Sequence, residues 1–327
     1  MKIILTGSLG SISKPLAQEL VQKGHQVTVI SSNPEKQKSI EELGAKAAIG
    51  SIEDRDFLTK TFAGADVVYC MLPPFKFIED PNLDVRAETF KLATNYAEAI
   101  KESGVKKVIH LSSIGGNLEK GHGLLVFHHI MEQVLQKLPA DIVVIHIRPV
   151  GFHYNVYQLM EMIQGKGFLE SFIGKILTLR YYGIKGFLKG QRGIILSNYG
   201  GNDKVIWVSP VDIASAIAAE IQSPMLDRKV TYVASEILTC SEVAKIIGTA
   251  IGKPYLKWET ISDKQLLNGM KQAGLPESLA KDITEMNASI HNGLLYEDFY
   301  QKKSKLKGNI KMKDFAKDFA VDYHKQS

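Results

Sequence analysis

Two rhythms of apolar and polar residues alternate through the first half of the chain. Short apolar runs at 2–5, 26–30, 45–49, 67–71, 105–111 and 142–147 read as strands. Between them, 14–23, 35–43, 54–62, 85–102 and 124–138 carry apolar residues at helical spacing. Runs such as VVYCML are apolar at consecutive positions, as strands buried on both faces are. Strands alternating with helices of this length predict a parallel sheet covered on both sides. The rhythm breaks after Arg148 and Pro149, where residues 156–203 mix glycines, aromatics and basic residues and read as a cap-like insertion. A strand at 204–208, a helix at 211–222 and a strand at 230–235 restore the first pattern, and from Thr239 onward the segments read as helices. The expected architecture is α/β: a Rossmann-type doubly wound parallel sheet from residues 1–155 and 204–235, with 236–327 forming a smaller, mostly helical substrate domain.

Composition narrows the class. Of 327 residues, 45% are apolar and 23% charged, which suits a globular chain with a sizeable core. Much of the net charge of +5 comes from Lys302, Lys303, Lys305, Lys307, Lys311 and Lys313. That run reads as a solvated face, and nucleic acid is not an expected partner. Cys70 and Cys240 lie far apart in no metal-ligand spacing, which fits a reducing compartment and no disulfide scaffold. The opening MKIILTG lacks the regions of a signal peptide and no apolar run reaches bilayer-spanning length, so a cytoplasmic protein is expected.

The stretch ILTGSLGSISKPLAQEL reads as strand, tight turn and helix. Such a turn leaves backbone N–H groups unpaired at the positive end of the helix dipole, a setting that favours an anionic pyrophosphate. Gly7 permits the sharp turn and Gly10 a close approach of phosphate to backbone. Ser13 stands where a third glycine would complete the spacing, and Pro15 is tolerated in the first helical turn. Past the second strand, where an Asp or Glu would hold the ribose diol of NAD, the chain reads Ser31-Ser32-Asn33-Pro34-Glu35-Lys36. Small hydrogen-bonding side chains with Lys36 and Lys38 nearby favour NADP(H) over NAD(H), although no arginine stands there. The same residues also suit a helix start, and the two readings are compatible.

The segments TGSLGSISKPL, VISSNPEK, GSIEDRDFL, VVYCMLPP, VKKVIHLSSIGG, IHIRPVGFHYN, WVSPVDIASAIA and TCSEVAKIIGTAIGKP follow one another in a recognisable order. In these the chain resembles the NmrA-like branch of atypical short-chain dehydrogenases/reductases. The late GLPESLAKDITEMNASIHNG is similar to the C-terminal part of quinone-reductase-like members. The resemblance implies that Gly7, Leu9, Gly10, Ser11 and Ile12 line the pyrophosphate. Ser31, Ser32 and Asn33 would meet the adenosine ribose or its phosphate, and Ser51 and Ile52 the adenine, although relatives commonly carry Asp at the position of Ser51. Met71, Leu72 and Pro73 would back the nicotinamide ribose. Ser112 and Ser113 end the fifth strand, and Pro149, Val150, Gly151 and Phe152 would approach the nicotinamide.

One departure matters most. Competent short-chain dehydrogenases carry Tyr-x-x-x-Lys on the helix that here reads GLLVFHHIMEQVL. The spacing puts both residues on one helix face, where the lysine lowers the tyrosine pKa and the tyrosine transfers a proton. Aligned through Glu132 and Leu135, the two positions hold Leu124 and His128. Leucine transfers no proton, so the standard alcohol–ketone mechanism is not expected. His128 and Ser112 stay as candidate catalytic residues, His128 also as a ribose contact. His122, His128, His129 and His153 have no common metal-site spacing, and no metal is expected. Quinone reduction avoids the need for the tyrosine, since a quinone takes hydride directly and protons can come from water. Phe75, Phe77, Phe127, Phe152 and Tyr154, with Asn155, could wall an apolar substrate pocket.

Residues 165–193 are apolar and basic. They read as a hinged lid, as a segment that meets an anionic membrane surface, or as an oligomer contact. Two functional classes stand: an NAD(P)H-dependent reductase of quinones or similar electrophiles, and a non-catalytic dinucleotide-binding redox sensor acting through a protein partner.

Overall fold

The structure is a computed structural model that describes residues 1–73, 83–166, 172–224 and 227–326. The chain opens as β1 (Lys2–Leu5), α1 (Ser13–Gln22), β2 (Gln26–Ser31), α2 (Lys36–Glu42), β3 (Lys46–Ile49), α3 (Arg55–Phe62) and β4 (Val67–Cys70). It continues through α4 (Val85–Ser103), β5 (Lys107–Leu111), α5 (Val126–Gln136) and β6 (Val143–Pro149). Next come β7 (Gly151–Phe152), α6 (Met160–Gln164), α7 (Phe172–Leu188), β8 (Ile195–Ser197), β9 (Lys204–Val208), α8 (Pro210–Gln222) and β10 (Lys229–Val233). The remainder is β11 (Glu236–Thr239), α9 (Cys240–Ala250), β12 (Trp258–Thr260), α10 (Asp263–Gln272), α11 (Glu277–His291), α12 (Glu297–Gln301) and α13 (Met312–Gln326).

Two compact units divide these elements: Met1–Val150, Pro210–Val233 and Asp298–Lys305 form the first, and Gly151–Ser209, Ala234–Glu297 and Leu306–Ser327 the second. The first holds a seven-stranded parallel sheet in the order β10-β6-β5-β4-β1-β2-β3. Strand order reverses direction at β1 and β4, which makes this a doubly wound Rossmann-type fold with its crevice at the carboxyl ends of those strands.

Because β-strand side chains alternate, Val68 and Cys70 of β4 join Leu92, Tyr96 and Ile100 of α4 and Met131 and Leu135 of α5 on one face of the sheet. On α1, Leu16, Ala17 and Leu20 are fully buried at helical spacing, and α1 packs against α8. Asp84 caps α4 by accepting from Arg86 and Ala87 N–H, and Gly104 ends the helix in the left-handed conformation. The buried Lys107 ammonium donates to the carbonyls of Ile221 (2.9 Å) and Ser223 (2.7 Å) at the end of α8, satisfying groups that the helix itself cannot.

The second unit differs in organisation from the sequence expectation. Residues 151–155 and 204–209 belong to it, because β7 and β9 pair with β11 in a separate three-stranded sheet. The insertion is not freestanding, since its β8 pairs in parallel with the distant β12, Ile195 opposite Trp258. Helical character is carried by α9 and α13, which pack together, and by α10 and α11. Thr239 with Glu242 and Ser262 with Gln265 form capping boxes that start α9 and α10.

Candidate functional site

β1 ends at Leu5 and the chain turns at once, with Gly7 at φ +89° and Ser8 at φ +53°. Ser8 N–H donates to the Ile30 carbonyl (3.1 Å) and its hydroxyl to Ser31 Oγ (2.9 Å), which pins the turn to β2. The positive φ favours glycine at this position, and a Cβ on Gly7 would also lie 2.2 Å from Met71 Sδ, so the turn closely approaches the Met71 side chain past β4. Helix α1 starts without a side-chain cap and with no acidic residue in its first turn. Its positive dipole end is thus uncompensated beside half-buried Leu9, exposed Gly10 and Ser11, and buried Ile12. Ser13 fills the third-glycine position as a buried residue whose hydroxyl donates to the Thr6 carbonyl (3.1 Å) and closes the turn from strand to helix.

At the end of β2, Ser31 is buried and its oxygen also accepts from Asn33 N–H (3.2 Å), so this hydroxyl shapes the loop. Ser32, Asn33 and Lys36 are exposed. Asn33 Oδ1 accepts from Glu35 N–H (2.9 Å), a side-chain turn that leads into α2. Lys38 lies 3.9 Å from Glu42, one turn along. Lys36 is therefore the lysine left beside Ser32 and Asn33, at the first residue of α2. Past β3, Ser51 Oγ accepts from Glu53 N–H (3.1 Å), and Ile52 packs against the α3–α4 core. Past β4, Met71 N–H donates to Thr6 Oγ1 (3.0 Å) and its carbonyl accepts from Tyr96 OH (2.9 Å). Leu72 is buried there and Pro73 exposed.

The ends of β5, β6 and β10 carry a buried charge network. Arg148 donates in bidentate fashion to Glu132, Nε to Oε1 at 2.8 Å and Nη2 to Oε2 at 2.6 Å. Its Nη1 donates to Tyr232 OH and to Asp298 Oδ2, both at 3.1 Å, and Tyr232 OH donates to the same carboxylate oxygen at 2.6 Å. The Ser112 hydroxyl donates to Glu132 Oε1 at 2.5 Å. Burial pushes the Glu132 pKa up, but the Arg148 hydrogen bonds and charge together with the Ser112 hydroxyl bring it below the ordinary carboxylate range. Ser112 is thus bound within the protein rather than presented as a free donor. Gly116 is required beside it, since a Cβ there would lie 2.6 Å from Glu132 Oε1 and 2.7 Å from Ser112 Oγ. Ser113 is half-buried, Ile114 N–H donates to the Pro149 carbonyl (2.8 Å), and Val150 N–H donates to Val233 O (3.3 Å).

Leu124 lies in a 3-10 turn, Gly123–Leu125, and His128 in the first turn of α5. Burial drives the His128 pKa down to about 4, so the ring is neutral at physiological pH. Its Nδ1 is enclosed and has no hydrogen-bond partner. Phe127 packs against the α4–α5 core, with its ring 4.3 Å from that of His128. A second buried pair, His110 and His146, sits on adjacent strands with Nδ1 atoms 2.9 Å apart.

Other candidates fall elsewhere. Gly151 and Phe152 form β7 of the second unit, with half-buried Tyr154 and Asn155 in the 3-10 segment His153–Leu159 that follows. The Phe152 and Tyr154 rings are 5.2 Å apart, and burial raises the Tyr154 pKa. Phe75 and Phe77 lie outside the described residues. Within the first unit the structure brings together the Gly7 turn, Ser31 and Met71, and separately Ser112, Glu132, Arg148, Tyr232 and Asp298. Sequence reading missed the roles of the last four and of Gly116.

A glycine turn at the switch point of a doubly wound sheet, before an uncapped helix, defines a dinucleotide-binding type of protein. The profile of the NmrA-like family matches residues 1–316, and the chain belongs to that family. It is 22% identical over 287 residues to a probable pinoresinol-lariciresinol reductase of Arabidopsis thaliana, covering 85% of this chain and 82% of that one. An NADPH-dependent quinone oxidoreductase of Escherichia coli, solved with NADPH, superposes with a TM-score of 0.72 at 19% identity over 97% of this chain and 99% of its own. The Citrobacter sp. triphenylmethane reductase complexed with NADP(H) gives 0.70 at 20% identity, with the same coverage.

Proposed function

We propose that the protein is an NADP(H)-dependent reductase of quinones or similar electrophiles that works without the Tyr-x-x-x-Lys pair. The observation that carries this reading is the glycine turn from Gly7 to Ile12, combined with Leu124 in the 3-10 turn before α5 and a neutral His128 on α5. A bound nicotinamide supplies hydride, and a quinone acceptor needs no protein acid, because its product takes protons from water. The chain's own tasks are then binding and orientation. The Gly7 turn and the start of α1 hold pyrophosphate, Ser32, Asn33 and Lys36 take the ribose and its 2′-phosphate, and Met71 backs the nicotinamide end. The His128 ring, at the start of α5, would border the nicotinamide ribose. The descriptions of the similar E. coli and Citrobacter proteins as NADPH-dependent or NADP(H)-bound reductases support the reading. We place the protein in the cytoplasm, where NADPH is held reduced; no helix among the described residues is long and apolar enough to cross a membrane.

A second reading, a redox sensor that binds the dinucleotide and engages a protein partner, is favoured by the same Leu124 and by the Ser112 hydroxyl being bound to Glu132. Binding of NADPH and NADH, followed by nucleotide fluorescence, and NADPH consumption with a panel of quinones separate the two. Saturable consumption that falls sharply in His128→Ala is the expected result. Tight NADPH binding with no acceptor draining it would transfer the assignment to the sensor, and no binding of either nucleotide would end both.

A further inference from the structure

We infer that the second half of the 156–203 region docks the protein on an anionic phospholipid surface. Helix α7 changes direction at Gly183, whose φ of 67° and ψ of 177° are not helical. Past that point Ile184, Phe187 and Leu188 recur at the i, i+3, i+4 spacing that normally faces a core. Here all three are exposed, Ile184 by 69% and Leu188 by 78%. Before the kink, exposed Ile176 and Leu179 repeat the pattern. The inward side is tied down instead by tyrosines. Tyr182 OH donates to the Gly193 carbonyl (2.6 Å), its ring meets Tyr255 edge-on at 5.6 Å, and Lys257 Nζ donates to the Tyr181 carbonyl (2.9 Å). The apolar stripe is thus outward by construction.

Charge selects the occupant. Between residues 172 and 193 stand Lys175, Arg180, Lys185, Lys189 and Arg192, with no Asp or Glu. Arg180, Lys185, Lys189 and Arg192 are exposed along with the apolar residues. Exposed apolar side chains beside basic ones, with no acidic residue between, complement a negatively charged headgroup layer with acyl chains beneath it. A protein partner or a second copy of this chain would have to supply a matching acidic, apolar face. The segment is too short and too charged to span a bilayer, so it lies in the interface plane.

The test is flotation of the full chain with vesicles of phosphatidylcholine alone and of phosphatidylcholine with phosphatidylglycerol. The expected result is binding to the anionic vesicles that weakens as salt rises, with little binding to the neutral ones. Lys185→Gln with Lys189→Gln is expected to lower partitioning on the order of thirtyfold, from the usual contribution of each juxtamembrane cation. Ile184→Ser with Leu188→Ser is expected to abolish it, and unchanged circular dichroism and NADPH binding show that the variants are folded. Failure to bind anionic vesicles at low salt overturns the proposal. So does binding that survives both double substitutions, or a size-exclusion profile in which the serine variant turns a dimer into a monomer. None of these readouts depends on the protein being a reductase.

Discussion

A methyl group at Gly7 would meet Met71 Sδ at 2.2 Å and Ser13 Oγ at 2.7 Å, on a backbone held at φ +89°. Gly7→Ala must therefore push the Met71 and Ser13 side chains aside and place an alanine in the left-handed region. We expect the variant to fold, by circular dichroism, and to bind NADPH at least about tenfold more weakly, the usual scale of a lost charged hydrogen bond. The Glu132–Arg148 pair makes a different demand, since both side chains are almost wholly buried, at 1% and 5% exposure. Glu132→Ala removes the bidentate partner of the Arg148 guanidinium and leaves Asp298 as its remaining carboxylate, and the expected loss is ~3 kcal/mol in urea unfolding. His146 faces His110, Glu132, Arg148 and Arg228, and burial holds its pKa down to about 4, against about 6.5 in an unfolded chain. The unfolded state takes up a proton between those values and the folded state does not. Stability is thus complete above pH ~6.5 and falls by as much as ~3 kcal/mol for this residue as pH drops toward 4. Unfolding at a series of pH values should show that slope, and His146→Gln should make it shallower, the remainder coming from His128, which is depressed in the same way. An unchanged slope in the variant would mean that other groups carry it.

At the scale of elements, the turn from β2 into α2 carries cofactor choice. Ser32, Asn33 and Lys36 are exposed there, and Lys38 is turned toward Glu42. Lys36→Glu is expected to reduce the preference for NADPH over NADH by about tenfold, while Lys38→Glu changes it little. A ratio of dissociation constants left intact by Lys36→Glu would remove that lysine from the 2′-phosphate site. The strands and helices before Pro149 were legible because each carries several consecutive or periodic apolar residues that tertiary packing then uses. The beginning of α5 was less so. Leu124 and Leu125 continue the apolar spacing, but Gly123, at φ +50°, starts a 3-10 turn that three residues of pattern cannot distinguish from α-helix. Strands β11 and β12, of four and three residues, are too short to show a period. The phosphate loop was readable for the opposite reason, since its glycines serve a local backbone geometry. The Glu132 network joins residues up to 150 positions apart, which no local pattern encodes. The available signal was a carboxylate on a helix face shared with buried Val126, Met131 and Leu135.

For the whole molecule, the telling feature is that the first unit is assembled from three separate stretches of chain, the last being Asp298–Lys305. Asp298 accepts from Arg148 and from Tyr232, each contributed by another stretch. Asp298→Ala is expected to cost about 1–3 kcal/mol, seen as a lowered melting temperature. Truncation after Glu297 should do at least as much harm, and a truncated chain as stable as the intact one would show the return segment to be passive. The same arrangement sets a schedule for biosynthesis. A ribosome adds roughly 5–20 residues per second, so on the order of ten seconds separates the emergence of Arg148 from that of Asp298. Through that interval the cofactor-binding sheet waits with one of its buried cations short of a partner. The charge network can close only once the Asp298–Lys305 stretch has been made.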